Sequence, residues 1–185
     1  GNKVITTGEG GMCVTNSTEL NDKLRLLRDH GMSKTRRYYH EVVGYNYRMT
    51  NLQAAIGLAQ LERIDEIHKN RLLYEKLYQR IMPNSNFEFQ QDLKNRKRIT
   101  WLVCLLVGGN DNNERDLLIE LLIDHGIEAR PFFYLLSDMD IYKKYSRTVN
   151  SSAKKISSCG INLPAYENLK SLEQIEIIIK KIVKQ

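Results

Sequence analysis

The 185 residues carry 28 Lys and Arg against 22 Asp and Glu, a net charge of +6, and 42% of them are apolar. That length and apolar fraction suit one sizeable domain, or one domain with part of another, around a buried core. The basic excess is diffuse: its densest runs, Lys34–Arg37 and Lys94–Arg98, are short and mostly lack interleaved aromatics, so a solvated basic face is favoured over a nucleic-acid surface.

The chain opens on Gly1-Asn2-Lys3, two threonines, and the glycine cluster Gly8-Glu9-Gly10-Gly11. Met12–Thr15 is expected to follow as a short buried strand. Asn16 with Glu19 three residues on predicts a helix start. Leu20, Leu24 and Leu27 give it one apolar face, and Gly31 is placed to stop it in a left-handed cap. Met32–Tyr47 is polar, aromatic and aperiodic, and is expected to be a long functional loop.

Thr50 with Gln53 forms a second capping box. The apolar spacing from Leu52 to Ile81 then predicts a helix of roughly 48 Å if unbroken, at 1.5 Å per residue, with Pro83 ending it. Its first half is small and apolar on nearly every side and is expected to be buried. Its second half is amphipathic, and a domain boundary is expected near residue 65. Asn84–Arg96 reads as polar connector. Ile99–Val107 alternates as a strand up to the Gly108-Gly109-Asn110-Asp111 turn. A helix over Glu114–Asp124 closes at Gly126, and a short strand over Ile127–Arg130 meets Pro131. Tyr134–Tyr145 is irregular. A short helix at Ser151–Ser158 leads to an edge-like extended piece at Ile161–Pro164. Ser171 with Gln174 caps the last helix, whose face is Leu172, Ile175, Ile178, Ile179 and Ile182. Its basic end, with Lys180, Lys181 and Lys184, suits a helix C-terminus. Strand and helix alternation of this kind makes a small α+β or α/β unit.

Cys13, Cys104 and Cys159 lie far apart with no CxxC spacing, which argues against a disulfide framework or zinc site and fits a reducing cytoplasm. The longest apolar run, Trp101–Val107, is too short to span a bilayer. The sequence starts at Gly1 without an initiator Met, so its natural start is expected upstream. The four histidines have no metal-ligand spacing.

Two clusters carry candidate chemistry. Lys3 would be a nucleophile if a dry pocket lowered its pKa, and such an amine condenses with aldehydes. On these residues alone, a turn with an exposed lysine is the stronger reading. Asn46 and Arg48 precede a capped helix, where an amide and a guanidinium suit a phosphate or carboxylate. A structural Asn and a surface ion pair account for the two equally well.

Taken together, Gly1-Asn2-Lys3 with Ile5–Met12, Val43–Asn51 with Gln60–Asp65, Ile127–Pro131 and Gly160–Pro164 resemble the DegT/StrS-type nucleotide-sugar aminotransferases, nearest to their perosamine-synthase-like branch. The resemblance implies the C-terminal half of an α/β, aspartate-aminotransferase-type (fold type I) enzyme. Residues 1–65 would be the end of the large cofactor-binding domain, and residues 66–185 the small C-terminal α+β domain. It implies pyridoxal 5'-phosphate as cofactor, with Lys3 as the Schiff-base and proton-shuttling residue. Asn46 would reach the cofactor phosphate of a neighbouring subunit, with Arg48 beside it on phosphate or substrate, and Tyr134 in the substrate pocket. The implied reaction moves an amino group from glutamate to a keto group of a nucleotide-linked deoxysugar for surface-polysaccharide synthesis, in a cytoplasmic homodimer with shared sites. Neither nucleic acid nor membrane is an implied partner, and no metal is implied. In the family, the aspartate on the pyridine nitrogen, the ring-stacking aromatic and a phosphate-binding hydroxyl residue lie upstream of the lysine, so this piece is expected to be inactive alone. The alternatives are a non-catalytic domain fragment, or a dehydratase of the same family, against which the presence of Lys3 argues.

Overall fold

The computed structural model describes residues 3–82, 86–108, 112–146, 148, 151–165 and 172–182. The expected roles of Gly1 and Asn2, the Pro83 helix stop, the start of the connector at Asn84, the Gly109–Asp111 end of the turn, the Ser171 cap and Lys184 lie outside them. The chain divides into two compact units, Gly1–Ile64 and Asp65–Gln185.

In the first unit, α1 (Thr18–Arg28) is capped by Ser17, whose hydroxyl accepts from the Leu20 amide at 3.2 Å. The cap is therefore one residue later than the Asn16–Glu19 pattern predicts. Helix α1 ends in two left-handed residues, His30 and Gly31, and the Gly31 amide closes onto the Leu26 carbonyl at 2.8 Å. The stretch expected as a loop folds back against this end. The His30 amide donates to the Tyr45 carbonyl, the Tyr45 amide to Leu27 and the Tyr47 amide to Arg28. Gly31 and Gly44 make that return possible, because a Cβ on Gly44 would collide with the Gly31 backbone, and one on Gly31 with the Val42 carbonyl.

Helix α2 (Asn51–Leu61) starts at the predicted capping box, with the Thr50 and Gln53 side chains each bonded to the other's backbone. It does not run on to residue 81. A turn at Glu62–Arg63 separates it from α3 (Ile64–Ile81). Two expectations fail here. No residue of α2 is buried, with Leu52 79% and Leu58 58% exposed. Met12–Thr15 is not a strand, and Val14 is 88% exposed. A strand needs a neighbour to bond to, and an all-round apolar helix needs cover on every side. Among its described residues, unit 1 supplies neither.

The second unit is α+β. Its sheet has the order β1-β2-β4-β3, every neighbouring pair antiparallel, from β1 (Phe87–Phe89), β2 (Val103–Val107), β3 (Arg130–Pro131) and β4 (Gly160–Leu163). Strand β1 lies in the expected connector, and β4 is central and fully buried rather than an edge. Strand β3 begins only at Arg130, and β2 only at Val103. Val103 and Leu105 of β2 and Ile161 and Leu163 of β4 face a core shared with α3, α4 (Asn112–Asp124) and α6 (Leu172–Ile182). Leu77, Tyr78, Leu122, Ile175 and Ile179 supply most of the helical side of that core. Fully burying aliphatic side chains of this size is worth about 1.5–3 kcal/mol each before the entropy of ordering them is counted. Tyr78 is fully buried, and its hydroxyl donates to the Pro164 carbonyl at 3.2 Å. The opposite sheet face carries Cys104 and Asn162, paired across β2 and β4, and is flanked by α5 (Ser151–Cys159). Among the described residues, no helix is long and apolar enough to cross a membrane.

Candidate active site

Helix α2 organises the first candidate cluster. The chain from Thr6 to Gly10 lies along it, in a register set by one helix face. The Gln60 carboxamide accepts from the Thr6 amide at 3.0 Å and donates to the Thr6 carbonyl at 2.6 Å. One turn back, Gly57 leaves room for Thr7, whose methyl would sit 2.8 Å from an added Cβ. One further turn back, Gln53 Nε2 donates to the Glu9 carbonyl at 3.3 Å. Gly10 lies over Met49, just ahead of the helix. Positions 53, 57 and 60 share a face at helical spacing, and they are the only half-buried positions of α2. The extended segment is tightened by its own threonines. Thr6 Oγ1 accepts from the Gly8 amide at 3.1 Å, and Thr7 Oγ1 donates to the Glu9 carbonyl at 2.8 Å. Gly8 takes the left-handed conformation this turn requires, at φ 83°.

The register runs antiparallel to the helix, and that fixes where the candidates lie. Thr6 is at the C-terminal end of α2, and Lys3 joins it there through the bends at residues 3–5. Asn46 and Arg48 precede the N-cap, at the other end. Gln53 and Gln60 alone are separated by about 10 Å of helix axis. Lys3 is exposed. Asn46 is exposed, and its backbone bridges to Asp29. Arg48 Nη1 lies 3.2 Å from Asp29 Oδ1. That contact is an ion pair without hydrogen-bond alignment, since the same buried oxygen has no hydrogen-bond donor. With a side chain 53% exposed, Arg48 keeps the reach to engage an external anion as well. Tyr45 and Tyr47 stack beside these residues, with ring centroids 5.1 Å apart and planes within 8°.

Lys3, Asn46 and Arg48 thus share a unit, but they mark opposite ends of one helix. Their chemistry is an amine suited to an aldehyde and two N–H donors suited to a phosphate, the set that pyridoxal phosphate requires. Gln53, Gly57 and Gln60 were not singled out from the sequence as site residues. Their signal was a polar, glycine, polar series spaced by four and three on an otherwise apolar helix.

Tyr134 belongs to the second unit and is 77% exposed. Its neighbours Phe132, Phe133 and Leu135 line an open, mainly apolar cavity of about 530 Å³ with Trp101, Cys104 and Asn162, but Tyr134 is not among the lining residues. Cys104 donates to Asn162 Oδ1 at 3.4 Å, and burial pushes its thiol pKa up. Nearby, the carboxylate of Glu75 accepts two bonds from Arg98, at 3.0 and 2.6 Å, and one from the Thr100 hydroxyl at 2.7 Å. The hydrogen bonds to Glu75 hold the Arg98 guanidinium pKa well above its usual value. Among the described residues, no group of three or more His, Cys, Asp or Glu could hold a metal ion.

The chain is similar to known proteins. The chain is 40% identical over 176 residues to GDP-perosamine synthase of Caulobacter vibrioides, covering 91% of this chain and 46% of that protein. It is 40% identical over 183 residues to GDP-perosamine synthase of Escherichia coli O157:H7, covering 98% and 49%. Its fold matches Helicobacter pylori PseC, an aminotransferase involved in the biosynthesis of pseudoaminic acid, with a TM-score of 0.81 and 27% identity over 92% of this chain and 48% of that one. The chain therefore spans about half the length of the curated relatives it matches, and its α/β architecture is that of about half a fold type I aminotransferase. Members of the matching family use pyridoxal phosphate. Residues 1–183 match the family description, and the chain belongs to the DegT/DnrJ/EryC1/StrS aminotransferase family.

Proposed function

We propose that the protein carrying this chain is a pyridoxal-phosphate-dependent aminotransferase acting on a nucleotide-linked keto-deoxysugar, with Lys3 as its catalytic residue. Glutamate is the amino donor, and the two GDP-perosamine synthases favour a GDP-linked acceptor. The product serves surface-polysaccharide synthesis in the cytoplasm. Pyridoxal phosphate, when bound, supplies an aldehyde for an amine and a ring that accepts electron density from the substrate carbon. Lys3 Nζ would hold the group through its aldehyde carbon and, once released by the incoming amine, would carry the proton at the substrate carbon. Asn46 and Arg48 would hold the phosphate through N–H donors, and Tyr134 would offer ring and hydroxyl to the substrate.

The observation that carries this reading furthest is the register along α2. Lys3 leaves one end while Asn46 and Arg48 precede the other. Such a chain suits a homodimer in which each site takes Lys3 from one copy and Asn46 from its partner. The same register gives a reason for these 185 residues to be inactive by themselves. Lys3, Met12, Val14 and the outer face of α2 are exposed, so the apolar cover such a site needs is not supplied by the described residues around them.

Two experiments on the full-length protein test the reading. Lys3→Ala should abolish both the visible band of lysine-bound cofactor and transamination. A Lys3→Ala protein that keeps either one refutes the assignment. Co-expressed with Asn46→Ala, itself severely impaired, Lys3→Ala should give hybrids with one intact site in two. At random assembly about a quarter of wild-type activity returns. No recovery would mean that each site is built within a single copy.

A further inference from the structure

We propose that Gln60 is a positioning residue for Lys3: its carboxamide fixes the backbone from which the Lys3 side chain leaves. The inference rests on the reading of Lys3 given above and adds a device that neither family membership nor the amine's chemistry supplies.

The argument starts from the donors and acceptors of one side chain. Gln60 Oε1 accepts from the Thr6 amide at 3.0 Å, and Nε2 donates to the Thr6 carbonyl at 2.6 Å. The remaining amide hydrogen goes to the Ile56 carbonyl at 2.8 Å, one turn back on the same helix. Both Nε2 hydrogens are thereby used. The opposite amide orientation would point an oxygen at two carbonyls, so the pattern fixes the side chain's direction. Thr6 is held through both of its backbone groups, as a neighbouring strand would hold it, by a side chain that is itself tied to the helix.

The next anchors lie farther along. Gly57 admits Thr7, and Gln53 takes Glu9. Together they prevent Thr6–Gly10 from sliding along α2, but only Gln60 is adjacent to the end from which Lys3 departs. A lysine side chain turns about four bonds, so any slack in its backbone adds directly to the spread of its amine. Gln60 removes that slack at Thr6, three residues from Lys3, without touching the reacting atoms.

Gln60→Glu separates positioning from bulk. The variant keeps size, shape and one oxygen for the Thr6 amide, but its other oxygen faces the Thr6 and Ile56 carbonyls with no hydrogen to donate, and that repulsion lifts the Thr6 backbone off the helix. Protonation restores one donor, so the variant should regain docking in acid. Gln60→Asn, one methylene shorter, provides a second variant should Gln60→Glu fold poorly. The experiment uses the full-length protein and three readouts. These are amide hydrogen exchange at Thr6 at pH 5 and pH 8, borohydride trapping of pyridoxal phosphate on Lys3, and the pH midpoint of the visible band of the lysine-bound cofactor.

The expected result is Thr6 exchange about tenfold faster than wild type at pH 8 in Gln60→Glu, returning toward wild type at pH 5, with the loss not acid-reversible in Gln60→Asn. The midpoint of the visible band should shift in both variants and stay unchanged in Leu58→Ala, on the opposite face of α2. Unchanged exchange and midpoint overturn the proposal. Faster exchange with an unchanged midpoint also overturns it, because Gln60 would then be merely structural. Trapping on a lysine other than Lys3 in the wild type overturns the reading of Lys3 and this inference with it, and so distinguishes the two failures.

Discussion

Removing Arg98 should destabilise the second unit more than removing Glu75, although the two share one ion pair. The Glu75 side chain is 5% exposed and that of Arg98 20%. Arg98→Met strands a buried carboxylate with only the Thr100 hydroxyl, a loss of about 3 kcal/mol, at the low end for breaking a buried pair. Glu75→Leu leaves Arg98 its second partner, Asp92, at 2.9 Å, together with some access to water. Its cost is smaller, about 2 kcal/mol, much of it from the Thr100 hydroxyl that loses its acceptor. Because Thr100 is 1% exposed, solvent cannot replace that bond. The double variant should cost about 2 kcal/mol rather than the additive 5, since an apolar pair strands no charge. Urea unfolding of the wild type and three variants, followed by tryptophan fluorescence, measures the cycle. In a thermal scan Arg98→Met should melt about 10 °C lower. Equal costs for the two single variants, or strict additivity in the double, would refute the argument from differential burial.

Two further outcomes follow from local geometry. Gly57→Ala should fail to gain the helix-propensity benefit of about 1 kcal/mol, because its Cβ meets the Thr7 methyl at 2.8 Å, whereas the same change in a Thr7→Ser background should recover it. Chemical denaturation of the four proteins checks this. Burial raises the Cys104 thiol pKa, so less thiolate is present at a given pH. Iodoacetamide at pH 8 should therefore label exposed Cys13 well before Cys104, with Cys104 catching up only as pH rises beyond the ordinary thiol range. Mass spectrometry reads both rates, and equal labelling at pH 8 would contradict the burial of Cys104.

The cap of α2 was legible because its signal is local. Thr50 and Gln53 are three residues apart, and both reciprocal bonds form. Pairing across the sheet was not legible for the opposite reason. Phe87–Phe89 is too short to show a period, and nothing within Ile161–Pro164 says that it will lie between β2 and β3. The turn at Glu62–Arg63 interrupts an apolar pattern that continues across it, so periodicity alone joined α2 to α3. In the candidate site, Lys3, Asn46 and Arg48 were legible as residue types set among glycines and ahead of a capped helix. Their assignment to opposite ends of α2 depends on Gln53, Gly57 and Gln60, whose contacts span up to 54 positions in the chain.

The central place of β4 has a consequence for synthesis. Cys104 of β2 must wait for Asn162, 58 residues later, before its strand gains its inner neighbour. At about 5–20 residues per second, a ribosome leaves β2 with one open edge for about 3–12 s, far longer than a hairpin needs to form. During that interval β1 and β2 can close as a hairpin, but β3 has nothing to bond to. The nascent second unit therefore passes through a state with an unpaired apolar strand edge, the kind of surface that chaperones cover.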